Sequence, residues 1–454
     1  MTETCLKNNA RGLGPEHQGP EENLLSSSQA ENQESGALAS GRALLRQPSF
    51  DRNNLVAVFL MAALPPVAGS AISVLLVAFF VWAVLSLALK RFPFRMNGTD
   101  RALAWAFTAF PAVILLTGLL GAHPAGVFAK MVACLPFLSL WVLIPRLRVS
   151  PRVDYLSVYI CGAACGSMAG ALVAVGQWLH RAHEAEGGMG NSAVFAIISL
   201  CLAGISALNM KSPNAFYERM SWIGLGCGLL ASALAMTRGV LLAFPIVLFV
   251  CFVFAPRRWI ALITPVRAIC LVAILGIGYF VAGAQIAEKL ASIESATGKF
   301  RQSQGVTSLD IRVSLWQGGL RALAQSPFLG YGVQNRMEAV AANIPGAGGE
   351  LALRFSHAHN GFLSVALDGG ILGLAAVIGV LAMPIVIAMA APKDGDYKRR
   401  LFLAILVSAV YVIAGMTQIM FRHDIMDSFF IFNAVLIAAS IPFGKTPGAF
   451  PAKG

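Results

Sequence analysis

The chain has 454 residues, of which 57% are apolar and only 12% are charged, with a formal net charge of +12 and a mean hydropathy of +0.70. Water-soluble domains carry about 25% charged residues. The composition therefore excludes a soluble protein and predicts one with many membrane-spanning segments.

The first apolar run begins only at about Leu55, and the chain before it is rich in Ser, Gln, Glu and Asn, as in EENLLSSSQAENQESG at residues 21–36. Such a segment cannot bury enough apolar surface to offset the entropy that ordering would cost. It is also too long and too polar to be the n-region of a cleaved signal peptide. We therefore predict that residues 1–53 form a disordered cytoplasmic tail and that the first helix is not cleaved.

Apolar runs that can cross a hydrocarbon core of about 30 Å, which takes roughly 20 helical residues, recur after the tail. Pro65 and Pro66 interrupt the first run, so we divide it into two short helices that turn at the prolines; a single long helix would leave eleven spans. The twelve predicted spans are residues 54–67, 69–89, 102–121, 124–144, 154–177, 192–209, 218–236, 239–255, 265–283, 360–391, 401–420 and 426–442.

The predicted fold is therefore an all-α, polytopic integral membrane protein with about twelve transmembrane helices. Nine of these helices fall within residues 54–283 and three within residues 359–442, and residues 443–454 form a second cytoplasmic tail. Between the two groups lies one long outer loop, residues 284–358.

Lysines and arginines are distributed unequally over the short connections between the predicted spans. If the N-terminus is cytoplasmic, the short cytoplasmic connections carry sixteen of them, and the short outer turns carry three, Arg181, Arg238 and Arg422. This is the positive-inside pattern, and it predicts that both chain ends are cytoplasmic. The pattern also accounts for the net charge without a nucleic-acid partner.

The eight cysteines lie in the tail or in and beside apolar spans, and none lies in a predicted outer loop. We therefore expect no disulfide framework. The sequence has no Cys/His cluster at metal-ligand spacing, no Asp-x-Asp pair in the outer loops and no phosphate-binding glycine loop on the cytoplasmic side. The expectation is a protein without a metal ion or another cofactor.

The outer loop at residues 284–358 is far longer than the other connections, and loops of this length in compact proteins are usually functional. Its stretch SLDIRVSLWQGGLRALAQSPFLGYG, residues 308–332, places apolar residues at roughly helical spacing after Asp310, a predicted N-cap. We predict an amphipathic helix on the outer face of the membrane, followed by a tight turn.

Polar residues open the next predicted span, which begins FSHAHNGFLSVALDGG at residue 355. A neutral imidazole at the membrane surface, such as that of His359, can accept a proton from a hydroxyl group, since its ordinary pKa is near 6.5. Gly370 and Gly373 would allow a close approach between helices. The alternative is that His359 is an interfacial histidine that caps the helix.

Three arginines share the predicted outer side with this histidine. Arg238 lies in a very short turn between two apolar spans, where a charge is costly and tends to have a partner. Arg181 lies in another outer turn, and Arg312 begins the predicted amphipathic helix. The guanidinium fork suits a phosphate, whereas the alternative is contact with lipid headgroups or solvent.

These residues resemble the O-antigen ligase and polymerase superfamily of bacterial membrane glycosyltransferases. The resemblance rests on His359-Asn360, nine residues and Gly370-x-x-Gly373, on TRGVLLA around Arg238, and on IRVSLWQGGLRALAQSPFLGYG, which is similar to an Arg-x-x-x-Trp stretch ending in Pro-x-x-Gly-x-Gly. It extends from about Ala102 to the C-terminal helices, and the ligases fit best.

The resemblance implies transfer of a polysaccharide from undecaprenyl diphosphate to a sugar hydroxyl of the lipid A core. The reaction would take place on the periplasmic face of the inner membrane without ATP or metal. In that reading His359 is the general base, Asn360 orients it or an acceptor sugar, and Arg238 and Arg312 grip the diphosphate. Arg181 is a weaker candidate for the diphosphate, because its spacing departs from the family pattern.

Three alternatives remain open. An O-antigen polymerase of the same superfamily would add the glycan to another lipid-linked glycan, and one class carries an arginine-to-glycine spacing that occurs here once, from Arg354 to Gly370. A protein O-oligosaccharyltransferase is usually longer at its C-terminal end. A solute transporter more often places its charges near the bilayer midplane than at the membrane surface.

Overall fold

The computed structural model describes residues 48–120, 126–150, 153–181, 184–209, 214–241, 243–254, 308–345 and 348–443, and all regular structure in these ranges is helical. The α-helices are α1 Pro48–Ala63, α2 Pro65–Ala68, α3 Ala71–Ala88, α4 Gly98–Leu119, α5 Val127–Met131, α6 Leu140–Leu147, α7 Tyr155–Arg181, α8 Ser192–Ser206, α9 Ala215–Leu234, α10 Arg238–Leu241, α11 Phe244–Phe254, α12 Ser308–Gln325, α13 Arg336–Ala342, α14 Gly348–Ala352, α15 Gly361–Ala390, α16 Tyr397–Gly415 and α17 Asp424–Ser440. Two 3-10 helices, Val132–Ser139 and Ala207–Asn209, follow α5 and α8.

Helices occur at eleven of the twelve predicted spans, and the remaining span, residues 265–283, lies outside the described residues. The all-α prediction is thus confirmed for the described part of the chain. The first helix starts at Pro48, inside the segment predicted as a tail, because Phe50 is buried against the ring of Phe92. The predicted break at Pro65 is also present, between α1 and α2.

Five helical stretches among the described residues are long and apolar enough to cross a membrane. They are Ala71–Ala88, Gly98–Leu119, Val127–Leu147, Tyr155–His180 and Gly361–Ala390. Their presence agrees with a membrane-embedded protein. The count of twelve spans, the orientation and the outer position of residues 284–358 stay predictions.

Glycines on α7 let two other helical segments approach its backbone. A Cβ atom on Gly162 or Gly166 would lie 2.5 or 2.6 Å from a backbone carbonyl oxygen of α1, and one on Gly170 would lie 2.8 Å from Pro66 of α2. Small residues at such four-residue spacing are how helices pack closely in lipid, where apolar burial alone gives no preference for protein over lipid. The glycines of α7 therefore allow α1 and α2 to pack closely against this helix.

A buried ion pair links the start of α4 to the end of α17. Arg148 donates to Asp100 at 2.7 Å, and both side chains are almost fully buried. The same guanidinium donates to the carbonyl oxygen of Ala438, in the last turn of α17, and to that of Ile441, just beyond the helix. Thr117, near the other end of α4, lies about 25 Å from Asp100 along the helix axis.

The long helix α15 is broken at Gly369 and Gly370, where Gly370 has φ 59° and ψ −151°. The tight turn at residues 327–332, which we call the PFLGYG turn, packs into this break. The backbone N–H of Ile371 donates to Pro327, and that of Tyr331 donates to Leu367 at 2.7 Å. The turn therefore satisfies backbone groups that the break removes from the helix ladder.

The amphipathic helix that the sequence predicted before this turn is α12. It begins at Ser308, so Asp310 lies in its first turn, and the prediction that Asp310 is the N-cap was wrong. A carboxylate in the first turn still interacts favourably with the helix dipole, which is why the residue type fits either position.

We predict that Gly370→Ala strongly destabilises the protein, whereas Gly379→Ala in the same helix does not. A Cβ on Gly370 would lie 2.2 Å from the carbonyl carbon of Phe328, and its φ of 59° adds strain of about 1–3 kcal/mol. At Gly379 a Cβ would meet nothing within 4 Å, and alanine there should stabilise the helix by about 1 kcal/mol. Thermal unfolding of both variants in detergent measures the difference; equal melting temperatures would contradict the packing of the PFLGYG turn.

Candidate active site

The segment before α15, residues 355–360, carries His357, His359 and Asn360, and we call it the histidine loop. Asn360 is the N-cap of α15, and its side-chain oxygen accepts a hydrogen bond from the backbone N–H of Leu363 at 2.9 Å. The Ser364 hydroxyl donates to the Asn360 carbonyl at 2.7 Å and accepts from the backbone N–H of Ala358. Asn360 therefore fixes the end of the loop by capping the helix.

A second anchor reaches the histidine loop from α12. The indole N–H of Trp316 donates to the carbonyl oxygen of Ala358 at 3.0 Å. Since Ala358 precedes His359 and Asn360 follows it, the backbone is held on both sides of the histidine. These bonds hold His359 at φ 50°, a left-handed conformation that is uncommon for residues other than glycine.

The side chain of His359 is half-buried and lies between two rings, with centroid distances of 5.3 Å to Phe355 and 4.6 Å to His357. Its Nδ1 is buried and has no hydrogen-bond partner among the described residues, whereas Nε2 is not buried in this way. Nε2 is therefore the more accessible of the two ring nitrogens.

The electrostatic surroundings keep both histidines neutral. Burial, and then the positive charge of Arg312, lower the pKa of His359 below its ordinary value of 6.5. For His357 burial is again the largest cause, followed by His359, Arg336, Arg422 and His423, and together they lower its pKa to about 3. At neutral pH both rings are therefore unprotonated.

Arg312 lies in the first half of α12, with its side chain half-buried. It makes no hydrogen bond or ion pair with any residue that the structure describes. Trp316, one turn further along α12, anchors the helix to the histidine loop. A guanidinium in this position can offer its donors to an anionic group next to His359.

A buried carboxylate lies beneath the histidine loop. Asp368 is fully buried in α15, and its side chain pairs with Arg336 of α13 at 3.1 Å and with Arg422, just before α17, at 2.9 Å. Both arginine side chains are also almost fully buried. This Arg336–Asp368–Arg422 triad has two positive charges and one negative charge.

The sequence pattern assigned no role to Asp368 or Arg336, and it placed Arg422 in a short outer turn. Asp368 did carry a signal, since an acidic residue within the apolar run of a predicted span is rare and needs a partner. The sequence could not name those partners, because Arg336 and Arg422 lie 32 and 54 positions from Asp368 and meet it only after folding.

The backbone places the start of α10, which carries Arg238, near the start of α15. Arg238 begins α10, and its neighbour Gly239 lies against Thr417, while Gln418 lies against Gly361 at the start of α15. Arg181 ends α7, and the side chains of Arg181 and Arg238 are outside the described part of the structure.

Gly370 lies in the break in α15, and Gly373 follows the break in the same helix. A Cβ on Gly373 would lie 2.9 Å from the carbonyl oxygen of Val365, across the break. Their contribution is therefore to the course of the chain behind the histidine loop. Among the described residues, no group of three or more His, Cys, Asp or Glu side chains could hold a metal ion.

Residues 223–378 match a family model, Wzy_C, that is described as O-antigen ligase. The matched segment contains α10, α12, the histidine loop and Asp368, whereas Arg422 lies after it. A comparison with curated proteins gives no significant match. Residues 223–378 are thus similar to the O-antigen ligase family, whose members are membrane glycosyltransferases.

Proposed function

We propose that the protein is an O-antigen ligase of lipopolysaccharide biosynthesis. It transfers O-antigen polysaccharide from undecaprenyl diphosphate to a sugar hydroxyl of the lipid A core, on the periplasmic face of the bacterial inner membrane. The observation that carries the proposal is the position of the half-buried His359 beside the positive charge of Arg312, both within the matched Wzy_C segment.

His359 acts as the general base of this reaction. Its Nε2 accepts the proton of the acceptor hydroxyl while the hydroxyl oxygen attacks the anomeric carbon of the donor sugar. The bond from that carbon to the diphosphate oxygen breaks in the same displacement, so the configuration inverts. The diphosphate leaves with the bonding electrons, and its departure drives transfer without ATP or a metal ion.

Arginines bind the donor diphosphate in this proposal. Arg312 offers its donors beside His359 and stabilises the negative charge that develops on the leaving group. Arg238 and Arg181 are the further diphosphate ligands. The position of Arg238 is supported by its helix α10, which lies against Thr417, because the next residue, Gln418, lies against Gly361 at the start of α15. Asn360 supports the base by capping α15.

Reconstitution in proteoliposomes tests the reaction. Wild-type protein should transfer glycan from undecaprenyl diphosphate to lipid A core in the presence of EDTA, and His359→Ala should lower the rate by about 100-fold or more, since general bases contribute at least that much. A shift of the labelled acceptor on a gel measures transfer. His180→Ala is the matched control, because His180 is an exposed histidine in the last turn of α7.

Full activity of His359→Ala would rule out the base, and a strict metal requirement would rule out the metal-free mechanism. The acceptor is varied in the same assay. Growth of a second lipid-linked glycan in place of lipid A core would identify a polymerase, and growth of a protein acceptor would identify an O-oligosaccharyltransferase.

We predict two effects of Arg312→Gln. The dissociation constant for the lipid diphosphate should rise by about tenfold or more, because a hydrogen bond to a charged group contributes about 1.5–3 kcal/mol. The acid limb of the kcat/KM profile should also move to higher pH, because the positive charge that lowers the pKa of His359 is removed.

Arg321→Gln, on the same helix, is the control for Arg312→Gln. Arg321 is exposed and donates to the carbonyl oxygen of Asn343 at 3.3 Å, away from the histidine loop. Its substitution should change neither donor affinity nor the pH profile. If both variants behave like the wild type, Arg312 does not bind the diphosphate.

A further inference from the structure

We infer that Asp368 is a positioning residue for transfer: its carboxylate braces Arg336 and Arg422, and through Arg336 it fixes the histidine loop that carries His359. The inference rests on the proposed function only in its kinetic consequence. The brace itself is a property of the folded chain and can be measured without substrate.

The link from Asp368 to the histidine loop runs through one guanidinium. Nη1 of Arg336 lies 3.1 and 3.3 Å from the two carboxylate oxygens of Asp368. Nε and Nη2 of the same side chain both donate to the carbonyl oxygen of Ser356, with Nε at 3.1 Å. Arg336 therefore bridges a fixed carboxylate and the loop backbone three residues before His359.

Asp368 is itself held through its main chain. Its carbonyl oxygen accepts from the backbone N–H of Gly332 at 3.0 Å and from the Thr117 hydroxyl at 3.2 Å. The residue sits immediately before the break in α15, so the PFLGYG turn and α4 both fix its backbone. A carboxylate anchored in this way can set the direction of Arg336.

Arg422 makes the brace a three-way junction. Its guanidinium pairs with Asp368, and its backbone N–H donates to Asp427 in the first turn of α17 at 2.9 Å. Arg422 also has φ 67°, which shows that its backbone is held in an uncommon conformation at the junction. The triad thus joins α13, α15 and the chain entering α17 beneath the histidine loop.

Stability alone does not account for such a group. Removing charges from water costs several kcal/mol per ion, so a buried ion pair is often no more stabilising than apolar side chains of the same size. What the triad supplies is a defined geometry, because each partner restricts the position of the others. Misplacement of a catalytic group by about 1 Å can cost on the order of 100-fold in rate.

The test compares Asp368→Asn with Asp100→Asn. Each substitution replaces a buried carboxylate that pairs with arginine. Asp368 contacts Thr117 near the end of α4, whereas Asp100 lies in the first turn of α4, away from the histidine loop. Hydrogen exchange of purified protein in detergent should increase at residues 355–360 in Asp368→Asn and stay unchanged there in Asp100→Asn. The kcat should fall by on the order of 100-fold only in Asp368→Asn, with the donor KM unchanged in both.

Arg336→Lys provides a second variant if Asp368→Asn fails to fold. Lysine keeps the charge opposite Asp368 but cannot reach Asp368 and the Ser356 carbonyl with a planar fork. It should raise hydrogen exchange in the histidine loop and lower kcat in the same direction, by a smaller factor.

Unchanged exchange at residues 355–360 in Asp368→Asn and Arg336→Lys would overturn the inference. A rise in donor KM at constant kcat would also overturn it, because the arginines would then be substrate ligands. Failure of the proposed function gives a different result: His359→Ala would retain transfer, while the exchange measurements would still report the brace.

Discussion

The burial of one carboxylate between two arginines is the interaction on which the geometry of the candidate site depends. Asp368 lies in a helix that is otherwise apolar, and an unpaired charge there would be very costly. Arg336 and Arg422 offset that cost, and the segments that carry them converge on α15. The histidine loop lies on this junction because Arg336 also holds its backbone.

The break in α15 follows from the same constraint on buried polar groups. Where Gly369 and Gly370 leave the helical conformation, backbone donors and acceptors lose their partners within the helix. The PFLGYG turn supplies them, and only a glycine at position 370 leaves room for its backbone. The turn follows α12, so the hydrogen bonds between the turn and the break also hold α12, with Arg312 and Trp316, next to the histidine loop.

The proposed reaction places two requirements on the site. A general base must be neutral at working pH, and a diphosphate needs positive charge close to it. In the proposed reaction Arg312 beside the half-buried His359 meets both needs, because its positive charge lowers the pKa of the imidazole and attracts an anion. His357, with a pKa lowered to about 3, stays uncharged over the physiological range.

Composition and local spacing were sufficient to predict an all-α membrane protein, the break at Pro65 and the amphipathic helix before the PFLGYG turn, because these depend on neighbours a few positions apart. The roles predicted for His359 and Arg312 from the sequence stay predictions. The Arg336–Asp368–Arg422 triad could not be predicted, since its members are distant in sequence and identical residues elsewhere face solvent. Only the tertiary structure decides which arginine reaches a buried carboxylate, because the energy of that contact exists only once water has been excluded around it.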